Sequence, residues 1–138
     1  MQSELNIINN TQSKKALPVS IGRFFLNVKN AILNKKYELN IIFTTSQKSK
    51  ELNRTYRKKN EPTNILSFPI TKQNGEIFID LKQVKKNAKL FNMDYENFLK
   101  FLIIHGILHL KGYDHGPKME KLEKKYCHRF TTSMPICE

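Results

Sequence analysis

Apolar and polar residues follow two different periods along the chain, and the two periods predict nine regular elements. Alternating or continuously apolar segments predict four strands, at residues 5–9, 37–44, 65–70 and 76–79. Apolar residues spaced three and four positions apart predict five helices, at residues 19–33, 46–57, 80 to about 91, 94–110 and 119–130. This mixture indicates a compact α+β or α/β arrangement, and we favour α+β. The prediction is a small single domain over residues 1–138, with a mixed sheet of about four strands packed with about five helices.

Local signals mark where several of these elements begin and end. Ser20 is a candidate N-cap of the first helix, and Asp94 is a candidate N-cap of the fourth. Pro69 in the third strand indicates an edge position or a bulge, because proline cannot donate a ladder hydrogen bond. Asn74 and Gly75 form a typical tight-turn pair, so they predict a hairpin between the third and fourth strands.

Length and composition are those of an ordinary folded domain. The 138 residues are 39% apolar and 26% charged, which excludes disorder as the main state. No apolar run approaches the roughly 20 residues that cross a bilayer, and the first residues lack the layout of a signal peptide. We therefore expect a cytoplasmic protein with no membrane partner. Cys127 and Cys137 form no CxxC pair, so we expect reduced thiols.

The chain is strongly basic. It has 24 Lys+Arg against 12 Asp+Glu, which gives a formal net charge of +12. Such a charge favours a polyanionic partner, because cations that neutralise phosphates release condensed counterions. Charge alone leaves open a nucleic acid, a membrane surface, or lysine-rich faces that are simply solvated.

Three of the four histidines fall within residues 105–115, whose sequence is HGILHLKGYDH. His105 and His109 are four positions apart, so on a helix both imidazoles project from one face. Gly112 can end that helix in a left-handed conformation and turn the chain back, so that His115 approaches the other two. Three neutral imidazoles suit one Zn²⁺ ion and leave a fourth position for water or substrate. The alternative is that three unrelated histidines happen to be neighbours in the sequence, but chance rarely produces this spacing.

The same spacing is typical of the metzincin proteases, but one essential residue differs. In those enzymes the position after the first histidine is a glutamate that acts as general base, and here it is Gly106. Because glycine cannot take a proton, a peptidase or another metallohydrolase of this spacing stays open only as an alternative. Asp114 beside His115 is a candidate to orient an imidazole or to assist with a proton, and equally a turn-forming residue.

Residues 105–115 resemble the signature of the YbeY family of bacterial zinc-dependent endoribonucleases, H-G-x-L-H-L-x-G-Y-D-H, at every fixed position. Residues 52–69, LNRTYRKKNEPTNILSFP, resemble a second motif of that family, L-N-x-x-Y-R followed by P-T-[DN]-V-L-S-F. The GEI of residues 75–77 corresponds to the family's G-D-I, with glutamate in place of the usual aspartate. The resemblance spans about residues 39–125.

This resemblance implies a fold and a function. It implies a small α+β domain in which a zinc-binding helix lines a basic cleft. The residues that it assigns are three metal ligands and the family's functional arginine: His105, His109, His115 and Arg57. It further implies a single-strand-specific endoribonuclease that acts in maturation of the 16S ribosomal RNA 3′ end and in ribosome quality control. The partners that it implies are ribosomal RNA, the small subunit and ribosome-associated proteins.

The residues support this chemistry but leave part of it open. Zinc with an open position supplies Lewis-acid chemistry for a phosphoryl oxygen, and the planar guanidinium of Arg57 suits a phosphodiester oxygen. Either water or the RNA 2′-hydroxyl can be the attacking group, since no residue of the motifs marks the base. A non-catalytic ribosome assembly factor with structural zinc is a further alternative, which a fourth ligand from Cys127 or Cys137 would favour.

Overall fold

The computed structural model describes residues 4–13 and 19–130, and every predicted element is present within them. In chain order the elements are β1 (Leu5–Asn9), α1 (Val19–Ile32), β2 (Glu38–Phe43), α2 (Ser46–Arg57), β3 (Ile65–Thr71), β4 (Asn74–Ile79), α3 (Leu81–Leu90), α4 (Tyr95–Lys111) and α5 (Pro117–Phe130). The α+β prediction, with five helices and a four-stranded sheet, is confirmed. In this described part of the chain, none of the helices has the length and apolarity needed to span a membrane.

The four strands form one mixed sheet in the order β1-β2-β4-β3. β1 runs parallel to β2, and β2 runs parallel to β4, whereas β3 pairs antiparallel with β4. β3 is therefore an edge strand, which agrees with Pro69, since an edge tolerates a residue without an N–H. The register also shifts between Pro69 and Thr71, so a bulge is present as well.

The hairpin between β3 and β4 is confirmed, but its turn lies two residues earlier than predicted. Lys72 and Gln73 form the turn, and Asn74 and Gly75 already belong to β4. Gly75 is buried, and a Cβ at that position would collide with the Tyr37 hydroxyl. This glycine is therefore required for close packing and not for a left-handed turn, two uses that the sequence alone does not separate.

α4 is the central helix of the core. It packs against α1, α3, α5 and β3. Its buried residues include Ile103, Ile104, Ile107 and Leu108, each 0% exposed. A helix that is apolar on almost every side belongs inside a domain. The polar side chains of α4 are therefore accessible only where the neighbouring elements leave a gap.

α2 lies on the opposite face of the sheet from α4. On β3, the side chain of Ser67 contacts Gly106 of α4, whereas the ring centroid of Phe68 lies 4.9 Å from that of Tyr56 on α2. Successive strand residues point to opposite faces, so the two helices lie on either side of the edge strand. Arg57, the last residue of α2, is consequently placed beside the edge of β3, where it can face α4.

Two expectations about individual residues are wrong. α1 begins at Val19, so Ser20 lies in its first turn and not at the N-cap. The prediction failed because an apolar pattern does not fix the first residue of a helix. Cys127 is fully buried, and its sulfur is in a disulfide and not a free thiol. Spacing along the chain does not show which sulfurs meet in space. Cys137 lies outside the described residues.

Candidate metal centre

His105 and His109 lie one turn apart on the same side of α4, as their spacing predicts. Their ring centroids are 4.6 Å apart, with an angle of 82° between the ring planes. The Nε2 atoms of the two rings are 3.1 Å apart. Both side chains are half-buried, because the neighbouring helices cover most of α4 but leave these two positions accessible.

Gly112 ends α4 and turns the chain back toward the two histidines. Its φ of 109° lies in the left-handed region, which glycine adopts without strain, and its N–H donates to the last carbonyls of the helix. The turn places the His115 ring centroid 5.0 Å from that of His105 and 4.8 Å from that of His109. One ligand atom from each histidine lies within 4.8 Å of the other two. The predicted convergence of the three imidazoles is therefore present.

Hydrogen bonds behind two of the rings determine which nitrogen faces the cluster. Nδ1 of His109 lies 2.9 Å from the carbonyl oxygen of Tyr113, and Nδ1 of His105 lies 2.7 Å from Oε1 of Glu123. A carbonyl and a carboxylate only accept, so each Nδ1 carries a proton and donates it. In the neutral rings, both Nε2 atoms then hold lone pairs that face each other. Such an arrangement is favourable when a cation binds both nitrogens.

The surroundings of His109 favour its neutral form. Burial lowers the pKa of His109 from its ordinary value, and the neighbouring His105 and His115 lower it further. The Tyr113 carbonyl and Asp114 oppose this with smaller effects. A neutral imidazole is the form that binds a metal ion. The donor set therefore fits a cation, and the three histidines can bind a metal ion.

Other metal-ligating side chains do not join this cluster. Within residues 4–13 and 19–130, no second group of three such side chains is present. His128 is exposed on α5 and lies outside the cluster, as expected for a surface residue. Cys127 belongs to the hydrophobic core and supplies no fourth ligand. The described residues thus offer three ligands and leave further coordination positions open.

The histidines line a groove along the outer edge of β3. The groove has a volume of about 640 Å³, and its walls come from β3, α4, the turn after α4 and the end of α2. The segment between α2 and β3 contributes Lys59 and Asn64 to the lining. Asp114 is exposed and lines the groove as well. The groove therefore presents cationic, amide and carboxylate groups around the imidazoles.

Arg57 lines the same groove as the histidines. Its Nη2 lies 3.5 Å from the carbonyl oxygen of Ile65, and no carboxylate of the described residues forms a salt bridge with it. Partial burial lowers the pKa of Arg57, because the charged form loses hydration. The guanidinium stays charged at neutral pH, since arginine titrates far above it. An exposed guanidinium that lines the groove and has no acidic partner among the described residues is suited to an anionic ligand.

Two residues of this site carry no signal in the histidine motif. Glu123 belongs to the C-terminal helix, yet its carboxylate lies behind the ring of His105. Ser67 belongs to β3, yet its hydroxyl donates to the Gly106 carbonyl at 3.1 Å. A charged residue in the middle of an apolar helical stripe is the sequence signal that would have indicated Glu123. Ser67 stands at a fixed position of the second family motif, but nothing in the sequence indicates its contact with Gly106.

Gly106, between the two histidines of α4, packs directly against β3. A Cβ at this position would lie 2.9 Å from both Ile65 Cδ1 and Ser67 Oγ. A side chain at this position would have to displace the ends of the Ile65 and Ser67 side chains. The metzincin arrangement therefore lacks its general base in this sequence, and the packing at this position disfavours a larger side chain.

Comparisons with known proteins agree with the motifs. A model of the endoribonuclease YbeY family matches residues 6–131. One relative, named endoribonuclease YbeY, from Thermodesulfovibrio yellowstonii is 44% identical over 100 residues, covering 63% of this chain and 63% of the relative. Another relative of that name, from Sinorhizobium fredii, is 31% identical over 137 residues, covering 89% of this chain and 79% of the relative.

A solved structure supports the same assignment. The solution structure of a Thermotoga maritima protein has a TM-score of 0.65 and 29% identity, covering 91% of this chain and 88% of that chain. The matches to several relatives span less than two thirds of the relative's own length, 63% to 64%. The family model nevertheless spans the groove, Arg57 and all three histidines. The chain therefore belongs to the endoribonuclease YbeY family.

Proposed function

We propose that this protein is a metal-dependent endoribonuclease, specific for single strands, that acts on ribosomal RNA. Its reactions are maturation of the 16S ribosomal RNA 3′ end and ribosome quality control. His105, His109 and His115 hold one Zn²⁺ ion, and Arg57 contacts the scissile phosphate. We propose further that residues 1–138 form a single cytoplasmic domain, which interacts with the small ribosomal subunit and with ribosome-associated proteins.

One observation carries the proposal: Arg57 and the three histidines line the same groove. Arg57 ends α2, whereas the histidines lie on α4 and the turn that follows it. A metal site and a guanidinium in one groove suit a substrate that carries phosphate. Membership of the endoribonuclease YbeY family supports RNA as that substrate.

The charge of the chain supports the same class of substrate. A net charge of +12 attracts a polyanion over a distance set by the ionic strength. Lys59 adds a cation to the lining of the groove itself. We expect the affinity for RNA to fall steeply as the salt concentration rises.

In the proposed reaction, the metal ion supplies Lewis-acid stabilisation of phosphoryl oxygen. The chain's own groups bind and orient the RNA. Arg57 donates its N–H groups to a phosphodiester oxygen and stabilises the negative charge that develops there. Lys59 binds a neighbouring phosphate. Asp114 is a carboxylate in the lining of the groove, and we assign it to orient an imidazole or to accept a proton.

The alternatives fit the structure less well. A metzincin-like peptidase requires a general base where Gly106 packs against β3. A structural zinc site is closed by four protein ligands, whereas the described residues gather three beside an open groove. An assembly factor without catalytic activity would not need an arginine beside an open metal position.

Cleavage of RNA by defined variants tests the proposal. Zinc-loaded protein is incubated with single-stranded and duplex segments of the ribosomal RNA 3′ region, and the products are read at nucleotide resolution. We expect wild type to cut the single strand. We expect His109→Ala to lose both metal and cleavage, and Arg57→Ala to keep the metal but to cut about 100-fold more slowly, because it lacks one transition-state donor.

Arg54→Ala is the matched control for Arg57→Ala. Arg54 lies almost one turn earlier on α2 and lines a different surface concavity. Its replacement by alanine removes the same charge as the replacement of Arg57. We expect its cleavage rate to stay close to wild type. A wild-type rate in Arg57→Ala would contradict the role of Arg57, and full cleavage by metal-free protein would contradict the metal dependence.

A further inference from the structure

α5 carries one acidic residue inside an otherwise buried stripe. Met119, Glu123 and Cys127 follow each other at intervals of four, so they lie on one face of α5. Met119 and Cys127 are 1% and 0% exposed, and the side chain of Glu123 between them is 14% exposed. Burying a carboxylate costs free energy unless the carboxylate is paired. The position of Glu123 is therefore not explained by helix packing alone.

The partner of Glu123 is His105. Oε1 of Glu123 lies 2.7 Å from Nδ1 of His105, a short distance typical of a hydrogen bond to a charged group. The two residues are 18 positions apart and come from different helices, α5 and α4, which pack against each other. The contact is therefore built by the fold and not by local chain geometry.

The direction of this bond determines what His105 presents to the groove. A carboxylate only accepts, so Nδ1 of His105 holds the proton and Nε2 keeps its lone pair. That Nε2 is the atom 3.1 Å from Nε2 of His109. Glu123 contacts the opposite side of the ring, so it does not occupy the space where the three imidazoles converge.

We propose that Glu123 is a positioning residue for the metal centre. It fixes His105 in the tautomer and ring orientation in which Nε2 binds the metal ion, and it makes that nitrogen a more basic ligand. The inference rests on the proposed function, because it takes His105 as a metal ligand. His109 receives the same kind of support from a neutral group, the Tyr113 carbonyl at 2.9 Å. Among the described residues, Glu123 thus supplies the only hydrogen bond from a carboxylate to either ring of α4.

Binding of Zn²⁺ to four proteins tests this inference without any RNA. The proteins are wild type, Glu123→Ala, Glu123→Gln and Glu120→Ala, each stripped of metal and titrated against a chelator of known affinity. We expect Glu123→Ala to bind Zn²⁺ about 10- to 100-fold more weakly than wild type. Glu123→Gln should lose less, because its amide oxygen still accepts from Nδ1, and it keeps the size of the native side chain.

Glu120→Ala is the matched control. Glu120 lies on the same helix and lines the same small cavity of about 190 Å³ beside His105, but it is exposed. Its loss removes the same charge, so long-range electrostatics change equally. We expect its Zn²⁺ affinity to stay within about twofold of wild type.

The second readout is the tautomer of His105 in the metal-free protein, measured by ¹⁵N NMR of the imidazole nitrogens. We expect the proton on Nδ1 in wild type and in Glu120→Ala, and a shift toward the other tautomer in Glu123→Ala. A purely structural role of Glu123 would not move this equilibrium. Equal Zn²⁺ affinity of wild type and Glu123→Ala overturns the inference, and so does a proton on Nε2 in wild type. Failure of wild type to bind Zn²⁺ overturns the proposed function as well, so the two failures are distinguishable.

Discussion

The hydroxyl of Ser67 on β3 donates to the carbonyl oxygen of Gly106 on α4, with 3.1 Å between the two oxygens. The contact joins the edge strand to the helix that carries His105 and His109, at the residue that directly follows His105. It is possible because Gly106 has no side chain, so the strand and the helix approach closely. This hydrogen bond therefore joins two elements that line the groove, at a residue adjacent to His105 along the chain.

Gly106→Ala should destabilise the protein by about 1–2 kcal/mol. Overpacking against Ile65 and Ser67 costs about 1–3 kcal/mol, and the better helix propensity of alanine returns at most about 1 kcal/mol. Urea denaturation measures the difference. Gly22→Ala on α1 is the control, because the nearest atom to its Cβ, Ile7 Cδ1, is 3.8 Å away. It should stabilise the protein by up to about 1 kcal/mol, and equal stabilisation by both variants would contradict the close contact.

Removal of the metal should lower the thermal stability of the protein. A ligand at 100 times its dissociation constant stabilises the native state by about 2.7 kcal/mol, which is roughly 8 °C in Tm for a chain of this length. We therefore expect saturating Zn²⁺ to raise Tm by about that amount and a chelator to reverse it. His109→Ala should show no such shift, whereas His128→Ala, whose histidine is exposed outside the cluster, should respond like wild type. A full shift in His109→Ala would place the metal elsewhere.

Asp80→Ala should cost about 2–3 kcal/mol of stability. Asp80 is 1% exposed, caps α3 by accepting from the Gln83 N–H, and accepts from the Ser49 hydroxyl at 2.8 Å. The loss of a cap costs about 1 kcal/mol, and the loss of a buried partner costs about 1–3 kcal/mol. Asp94, the exposed N-cap of α4, provides the control. Asp94→Ala should lose only about 1 kcal/mol in the same denaturation experiment, and an equal loss in both variants would contradict the role of burial.

Tyr37 should make the protein sensitive to alkaline pH. Burial raises the pKa of Tyr37 above its ordinary value near 10, because the phenolate loses hydration. The folded state therefore holds this proton more tightly than the unfolded state. The resulting stability is complete below about pH 10 and is lost as the pH rises toward the folded-state value, by at most about 1.4 kcal/mol per pH unit.

Tyr37→Phe should remove this part of the alkaline loss. The Tyr37 hydroxyl has no hydrogen-bond partner within the described residues, so at pH 7 its removal should change stability by less than about 1 kcal/mol. Urea denaturation between pH 8 and pH 11 measures the difference. Tyr56→Phe, at a side chain that is 64% exposed, should keep the wild-type pH profile. Identical profiles of wild type and Tyr37→Phe would show that Tyr37 titrates equally in both states.

The histidine cluster was predictable because its geometry is local. His105 and His109 are joined by one helical turn, and Gly112 supplies the left-handed residue that returns His115 to them. All of these relationships lie within residues 105–115 and depend on the helix period and on one backbone conformation. The predicted position of the hairpin turn was wrong because the role of Gly75 is not local. Gly75 makes room for a packing contact with Tyr37, which no local pattern reveals.

The sequence by itself determined the nine elements, the convergence of the histidines and the strong net positive charge, since each follows from local periodicity or from composition. The tertiary structure decided the strand order, the placement of Arg57 across the groove from α4, and the contact of Glu123 with His105. These relationships join residues on different elements, so they depend on which faces pack together. Packing of that kind minimises the free energy of the whole domain, and no segment read alone specifies it.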